Sequence, residues 1–225
     1  MADEDRSLDL AGIGKLANSI PESAWQKFVD TACDTFSNII APVTSTTLGL
    51  GKLLEAKFDG MIEAQKLLAT DAVQRANQKI EKSNQQPQGK IKSTIIIHAI
   101  EKTSIETDEN IRDIWANLIA NEILKGDVHP EFPRLLERLS SNDAIVLLEI
   151  AENSQKDKIK LAIRTIAMSL NILGVSFSAL LEDKTDFHRE HLWNLNLIQK
   201  LDGKWYLTLL GEEFLKSVSD PSFEP

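Results

Sequence analysis

The sequence predicts an all-α fold, and three observations carry the prediction. Apolar residues recur at spacings of three and four through most of the 225 residues, the pattern of helices with one buried face. Helix-start signals stand in front of those runs, and the one hairpin predicted, turning at Asp202-Gly203, is short. At 42% hydrophobic residues the chain has the apolar content of a protein with a buried core.

The first start signal is Ser19-Ile20-Pro21-Glu22, a capping box in which the Ser19 hydroxyl and the Glu22 carboxylate are placed to satisfy free N–H groups. It predicts a helix over about 20–40. Residues 35–51, TFSNIIAPVTSTTLGLG, carry no charge. They are too short and too rich in Thr, Ser, Pro and Gly to cross about 30 Å of hydrocarbon as a helix. A buried turn is expected there, with a membrane-inserting segment as the alternative. Beyond Gly51, Leu54, Phe58, Met61, Ile62, Leu68, Ala69, Ala72, Val73, Ala76 and Ile80 fall on one helical stripe, most of its steps three or four residues. They predict one long amphipathic helix of roughly eight turns over about 51–82, whose apolar stripe must lie against the domain, a partner helix or a second copy of the chain.

The polar run SNQQPQGK, 83–90, has turn formers and no apolar anchor, which makes it the expected linker. It separates an N-terminal helical region, 1–82, from a helical core over 91–140 and a C-terminal region over 141–225. IKSTIIIHAI opens the core with a helical period, although its β-branched run would suit a strand as well. Thr103 to Glu109 then supply caps and first-turn acids for IRDIWANLIANEI, which stops at Lys125-Gly126 with a cation in the last turn and a glycine beyond it. A helix is expected in HPEFPRLLERL, another after the cap at Ser140 to Asp143, and a third after Ser154 with Asp157 three residues on.

The end of the chain reads as a helix in HREHLWNLNLIQKL, a hairpin arm in DGKWYLT, and a last helix, LGEEFLKSV, capped by Thr208. Helix, tight hairpin with an aromatic, then helix resembles the end of a winged-helix domain, whose second-last helix can read DNA. Here that helix would present Asp186, His188, Arg189, Glu190 and His191, and from Ser141 onward 9 Lys and Arg face 13 Asp and Glu. A phosphate-binding face needs the opposite balance. The whole chain, at −9 and with a pI near 5.0, points the same way. Protein docking is therefore the expected use of this unit, and DNA regulation the alternative.

Candidate chemistry is sparse. Cys33 is the single cysteine, so no internal disulfide forms, and a buried structural thiol is expected. His188 and His191, three apart, lack a third ligand and are expected on a solvated helix start; His98 is expected as a hydrogen-bonded core histidine and His129 as the entry to a helix. No nucleophile stands in a catalytic signature, and Gly49 and Gly51 lack the pattern of a phosphate loop. The expectation is a protein that is not an enzyme and has no catalytic, cofactor or metal site. The polar start MADEDRSLDL is unlike a secretion signal, so a cytoplasmic location is expected, with the inner-membrane surface as the alternative.

One stretch is more specific. Asn117 and Asn121 sit four apart inside IRDIWANLIANEI, although asparagine weakens a helix interior. With Asp113 they form a polar row at i, i+4 and i+8, beside an apolar face of Ile111, Ile114, Trp115, Leu118, Ile119 and Ile123. The row is expected to satisfy backbone groups of the His129-Pro130 turn or of the Ser140 cap, the alternative being a polar seam facing a ligand or partner. Ile111, Asp113 to Ala120, then His129, Pro130 and Phe132, then Leu136, Leu139, Ser140, Asp143 and Ala144 follow one another in an order that resembles the Abi-alpha family, the abortive-infection alpha proteins of bacteria and their mobile elements. The resemblance implies a role in phage defence, in which infected cells stop growing or die before the phage matures. It singles out Asp113, Trp115, Asn117, Asn121, His129, Pro130, Phe132 and Asp143 as motif or contact residues. It carries no chemical role for them. The function expected is that of an interaction protein with a protein partner or a second copy of itself.

Overall fold

The computed structural model describes residues 47–88, 90–154, 156–180 and 185–223, together with positions 27, 30 and 34. The helix expected over 20–40, its cap at Ser19 and Glu22, and Cys33 lie outside the described residues, apart from Lys27, Asp30 and Asp34, which are helical and exposed. The described elements are α1 (Thr47–Asp59), α2 (Glu63–Ser83), α3 (Ser93–Thr103), α4 (Glu109–Lys125), α5 (Phe132–Leu136), α6 (Ser141–Ala151), α7 (Asp157–Ser169), α8 (Phe177–Leu180), α9 (Thr185–Asn194), β1 (Ile198–Leu201), β2 (Lys204–Leu207), α10 (Leu209–Ser217) and a 3₁₀ turn, Pro221–Phe223. The all-α class holds, with one small hairpin.

Helix α4 is the centre of the fold. Between Ile111 and Leu124 only Asp113 is not buried, as expected of a helix enclosed on every side. Helices α2, α3, α7 and α10 and the terminal 3₁₀ turn all pack on it. Its ends form as the sequence predicts. The Asp108 side chain accepts from the N–H groups of Asn110 and Ile111, and Gly126 closes the other end in the left-handed conformation, φ 66°. One contiguous core runs from Leu54 to Val218, on both sides of the irregular stretch after α2.

Four expectations about elements are corrected. The long helix expected over 51–82 is two helices, α1 and α2. At Gly60 the chain turns, Met61 N–H donating to the Phe58 carbonyl, and Ile62 is extended, its N–H donating to the Gln65 side chain as α2 begins. Both helices bury their stripes, Leu54 and Phe58 on one and Ala69 to Ile80 on the other, so the period survives a break it cannot reveal. Within the uncharged stretch 35–51, residues 47–51 are helical instead of a turn, and the rest lies outside the described residues. Helix α7 starts after Lys156 and not at Ser154, whose hydroxyl accepts from the Lys156 N–H and shapes the turn before it. The helix expected through HREHLWNLNLIQKL ends at Asn194, and Ile198–Leu201 form β1. Asn196 adopts φ 57° there while the Leu197 N–H returns to the Leu192 carbonyl, which stops the helix and redirects the chain.

The hairpin itself is local chemistry. β1 and β2 pair antiparallel with Leu201 opposite Lys204, leaving a two-residue loop in which Asp202 and Gly203 both take positive φ, 49° and 79°. That is the turn whose twist matches the strands. Thr208 then caps α10 by accepting from the Gly211 N–H.

Candidate functional site

The polar row of α4 faces the C-terminal segment of the chain, which corrects the partner expected for it. The Asn117 side-chain nitrogen donates to the Val218 carbonyl at 2.9 Å and to the Ser169 hydroxyl at 3.2 Å. The Asn121 nitrogen donates to the carbonyls of Ser219, Ser217 and Asn117 at 2.7, 3.0 and 3.0 Å. Neither amide touches the His129-Pro130 turn or the Ser140 cap in these bonds. Because the backbone partners are all carbonyls, the NH₂ end of each amide is fixed toward the C-terminal segment. Both amide oxygens are buried without a hydrogen-bond partner.

At the head of the row Asp113 enters an ion cluster. Lys79 of α2 bridges Asp113 and Asp220, each at 3.0 Å, and all three side chains are mostly buried. Arg75 lies 3.6 Å from Asp113 and bonds Asp71 and Glu109, and Arg112 also reaches Asp71. Desolvation works against the Arg75 guanidinium, but Glu109 and Asp71 outweigh it and raise its pKa. Thr165 of α7 accepts from the Asp220 N–H. Residues 217–220 are thus tied to three helices by polar groups whose loss would leave buried carbonyls and carboxylates unpaired.

Ser217 and Ser219 of the same segment line a groove of about 1040 Å³, the size of a substantial ligand site. Phe132, Leu161, Leu209, Leu210 and Phe223 supply its apolar lining. Lys125, Lys158 and Lys216 stand on its rim with Asp127, Asp157 and Glu213, so the rim carries both signs. Leu209 is 73% exposed and Phe223 40%, so two large apolar side chains of the lining meet water.

Of the residues singled out from sequence, Asn121, His129 and Phe132 meet at this groove. His129 Nδ1 accepts from the Glu131 N–H, and Phe132 packs edge-on against Phe214 at 5.8 Å. Pro130 lies in the exposed turn between them. Trp115 is elsewhere, buried on another face of α4 and stacked on His98 at 6.3 Å. Asp143 is elsewhere too: its side chain accepts from the Ser140 N–H and hydroxyl in a capping box, and its second oxygen pairs with His188 at 2.8 Å. His188 and His191, expected to be solvated, instead pin α9, since His191 bonds the Arg138 carbonyl. His98 is half-buried and bonds Glu137, not a core residue as expected.

Several residues that build the site gave no signal in the sequence. Lys79, Ser169, Ser217, Ser219 and Asp220 become neighbours of the row only through packing. Glu122, next to Asn121, is fully buried; desolvation raises its pKa against the pull of the Lys92 N–H and ammonium. Among the described residues no group of three His, Cys, Asp or Glu is placed to hold a metal ion, and no helix is long and apolar enough to cross a membrane.

Among known families, the model described as Abortive infection alpha matches residues 63–218. No curated protein and no solved structure matches the chain.

Proposed function

The chain belongs to the abortive infection alpha family, a family of phage defence, and from that premise we propose that it defends as a non-enzymatic interaction protein whose contact surface is the groove beside the C-terminal segment. One observation supports this above the others: Leu209 and Phe223 stand exposed at the mouth of a large apolar groove, whose wall residues Asn121, His129 and Phe132 belong to the family-like motif. An apolar floor with a rim of mixed charge is how a protein segment is held, the floor for affinity and the rim for register. The partner is another protein or a second copy of the chain.

The test is phage plating on cells carrying Leu209→Asp. The leucine is largely in water, so the variant should fold with stability within about 0.5 kcal/mol of the parent. Protection should fall at least about tenfold, the effect of about 1.4 kcal/mol in partner affinity. Full protection by the folded variant overturns the proposal.

A second reading places nucleic acid at the hairpin. Lys200 lies 5.2 Å over the Trp205 ring, and Trp193, half-exposed, meets Trp205 edge-on at 6.5 Å, an aromatic and cationic pairing on which bases can stack. A shifted band at low salt is its test. The membrane alternative, resting on the uncharged residues 35–51 and the helix that follows them, is tested by flotation with anionic liposomes.

A further inference from the structure

From Lys158 to Leu180 the chain has three cations, Lys158, Lys160 and Arg164, and no acid, although acids outnumber cations 34 to 25 over the whole sequence. One face of α7 is buried there through Ile159, Ala162 and Ile166. On the other, Lys160, Arg164 and Met168 follow at i, i+4 and i+8, a single exposed row along the helix. Among the described residues no carboxylate pairs with Lys158 or Arg164, and Lys160 reaches only Asp157, at 3.9 Å. Past Ser169 the chain folds back at once. The Leu170 and Ile172 N–H groups return to the Ile166 and Ala167 carbonyls, Asn171 takes φ 57° and Gly174 φ 82°, and buried Phe177 brings the backbone inward again. That turn leaves Leu173 53% and Val175 45% exposed, next to Met168 at 40%. Three large aliphatic side chains are thus gathered at the end of α7, with cations one and two turns behind them.

We propose that this end of α7 docks on an anionic phospholipid surface, Met168, Leu173 and Val175 entering the interface while Arg164 and Lys160 lie at the level of the phosphates. Charge names the surface: cations left without a close carboxylate, on a chain of net charge −9, answer a dense field of negative charge and gain nothing from a neutral one. Order along the helix separates a bilayer from a protein partner. At 1.5 Å of rise per residue, Arg164 stands about 6 Å and Lys160 about 12 Å behind Met168 along the axis. Apolar groups of an interfacial segment reach about 5–10 Å below the headgroups, so a steeply inclined α7 entering by its end puts both cations among the phosphates. Residue 171 and residues 173–176 are all exposed. A projecting turn of this kind offers no cleft for a side chain of a folded partner, whereas fluid lipid closes round it. The contact uses the opposite end of α7 from the groove, whose lining takes Asp157, Lys158 and Leu161 from the first half of the helix, and so does not rest on the groove's role.

The test is flotation of the full chain with vesicles of phosphatidylcholine alone and of phosphatidylcholine mixed with phosphatidylglycerol, at about 0.1 M salt. The parent should float with the mixed vesicles and stay behind with the neutral ones. Each cation near such a surface contributes about fivefold to partitioning, so Lys160→Gln with Arg164→Gln should weaken binding about 20–30-fold. Leu173→Ser with Val175→Ser should weaken it at least about fivefold at unchanged net charge. All four side chains are exposed, and an unchanged circular dichroism melt confirms that the variants fold. Lys200→Gln with Lys204→Gln, on the exposed hairpin, removes the same charge elsewhere and should stay within about twofold of the parent. A parent that floats with neither vesicle, or equally with both, overturns the proposal. So does a hairpin pair that weakens binding as much as the α7 cations, which would make the attraction one of net charge alone. Full binding by either α7 pair overturns it too, and passes the contact to another surface such as residues 35–51.

Discussion

Asn121→Ala is the substitution that tests what the polar row does. The Asn121 amide gives its hydrogens to three carbonyls, of Asn117, Ser217 and Ser219. Alanine leaves the Ser217 and Ser219 carbonyls without that donor beside the groove, while Asn117 keeps its own helical bond. Each buried orphan costs about 1–3 kcal/mol, and removing the asparagine also removes its own unpaired oxygen. The balance is a loss of about 2–3 kcal/mol. For a chain of this size that lowers Tm by about 5–10 °C. The assay is thermal unfolding by circular dichroism beside hydrogen exchange at Val218 and Asp220, whose N–H groups bond Phe214 and Thr165 and where protection should fall first because the segment detaches locally. Asn121→Asp sharpens the test, since a carboxylate has the same shape but no donor for three carbonyls. It should be worse than alanine. A Tm within 1 °C of the parent for Asn121→Ala, or an aspartate better tolerated than alanine, refutes the strap and returns the row to a contact surface.

Gly211→Ala should be among the most damaging changes in the chain: a Cβ there would stand 2.1 Å from the Leu197 carbonyl oxygen, so α10 must move off the hairpin, at about 3 kcal/mol or more by denaturant titration. Lys79→Met removes the cation shared by Asp113 and Asp220, leaving Asp113 with Arg75 alone and Asp220 without its ion-pair partner, and should cost about 3 kcal/mol; adding Asp220→Asn should restore part of it, and a non-additive cycle would show this. Glu122 sets a pH dependence. Its folded pKa is raised above the usual 4.5, so from there up to the raised value the folded state holds a proton the unfolded state has released. Stability therefore falls with rising pH across that window, and Glu122→Gln should flatten this component when the two proteins are unfolded side by side from pH 4 to 8.

Several of the structure's decisions were already local. Asp108 and Ser140 cap their helices, Gly126 ends α4, Asp202-Gly203 turns the hairpin and Thr208 starts α10 because each satisfies backbone groups within a few residues of itself. Such signals need no tertiary context, and so the class of fold and most of its elements were legible. The resemblance carried by Asp113 to Ala120, His129, Pro130 and Phe132 was legible for the same reason, being written in contiguous residues, and it foresaw the family.

The rest depended on neighbours the sequence does not order. The apolar period from Leu54 to Ile80 runs unbroken through the turn at Gly60, because two helices packed on one core keep a common stripe. Ile198–Leu201 continue a helical pattern and become a strand, since the hairpin partner at Lys204–Leu207 offers hydrogen bonds that a longer α9 would forgo. His188 looked solvated until α9 was laid against the Asp143 cap of α6. Alone, then, the sequence determined that residues 111–123 form a helix with a buried apolar face and that Asn117 and Asn121 need partners, because periodicity and the cost of a helical asparagine are properties of the local chain. That those partners are Val218 and Ser219, about a hundred residues away, and that their segment lines a groove, only the packing of α7 and α10 on α4 decided: a buried amide specifies that it must be paired, and the tertiary fold specifies with what.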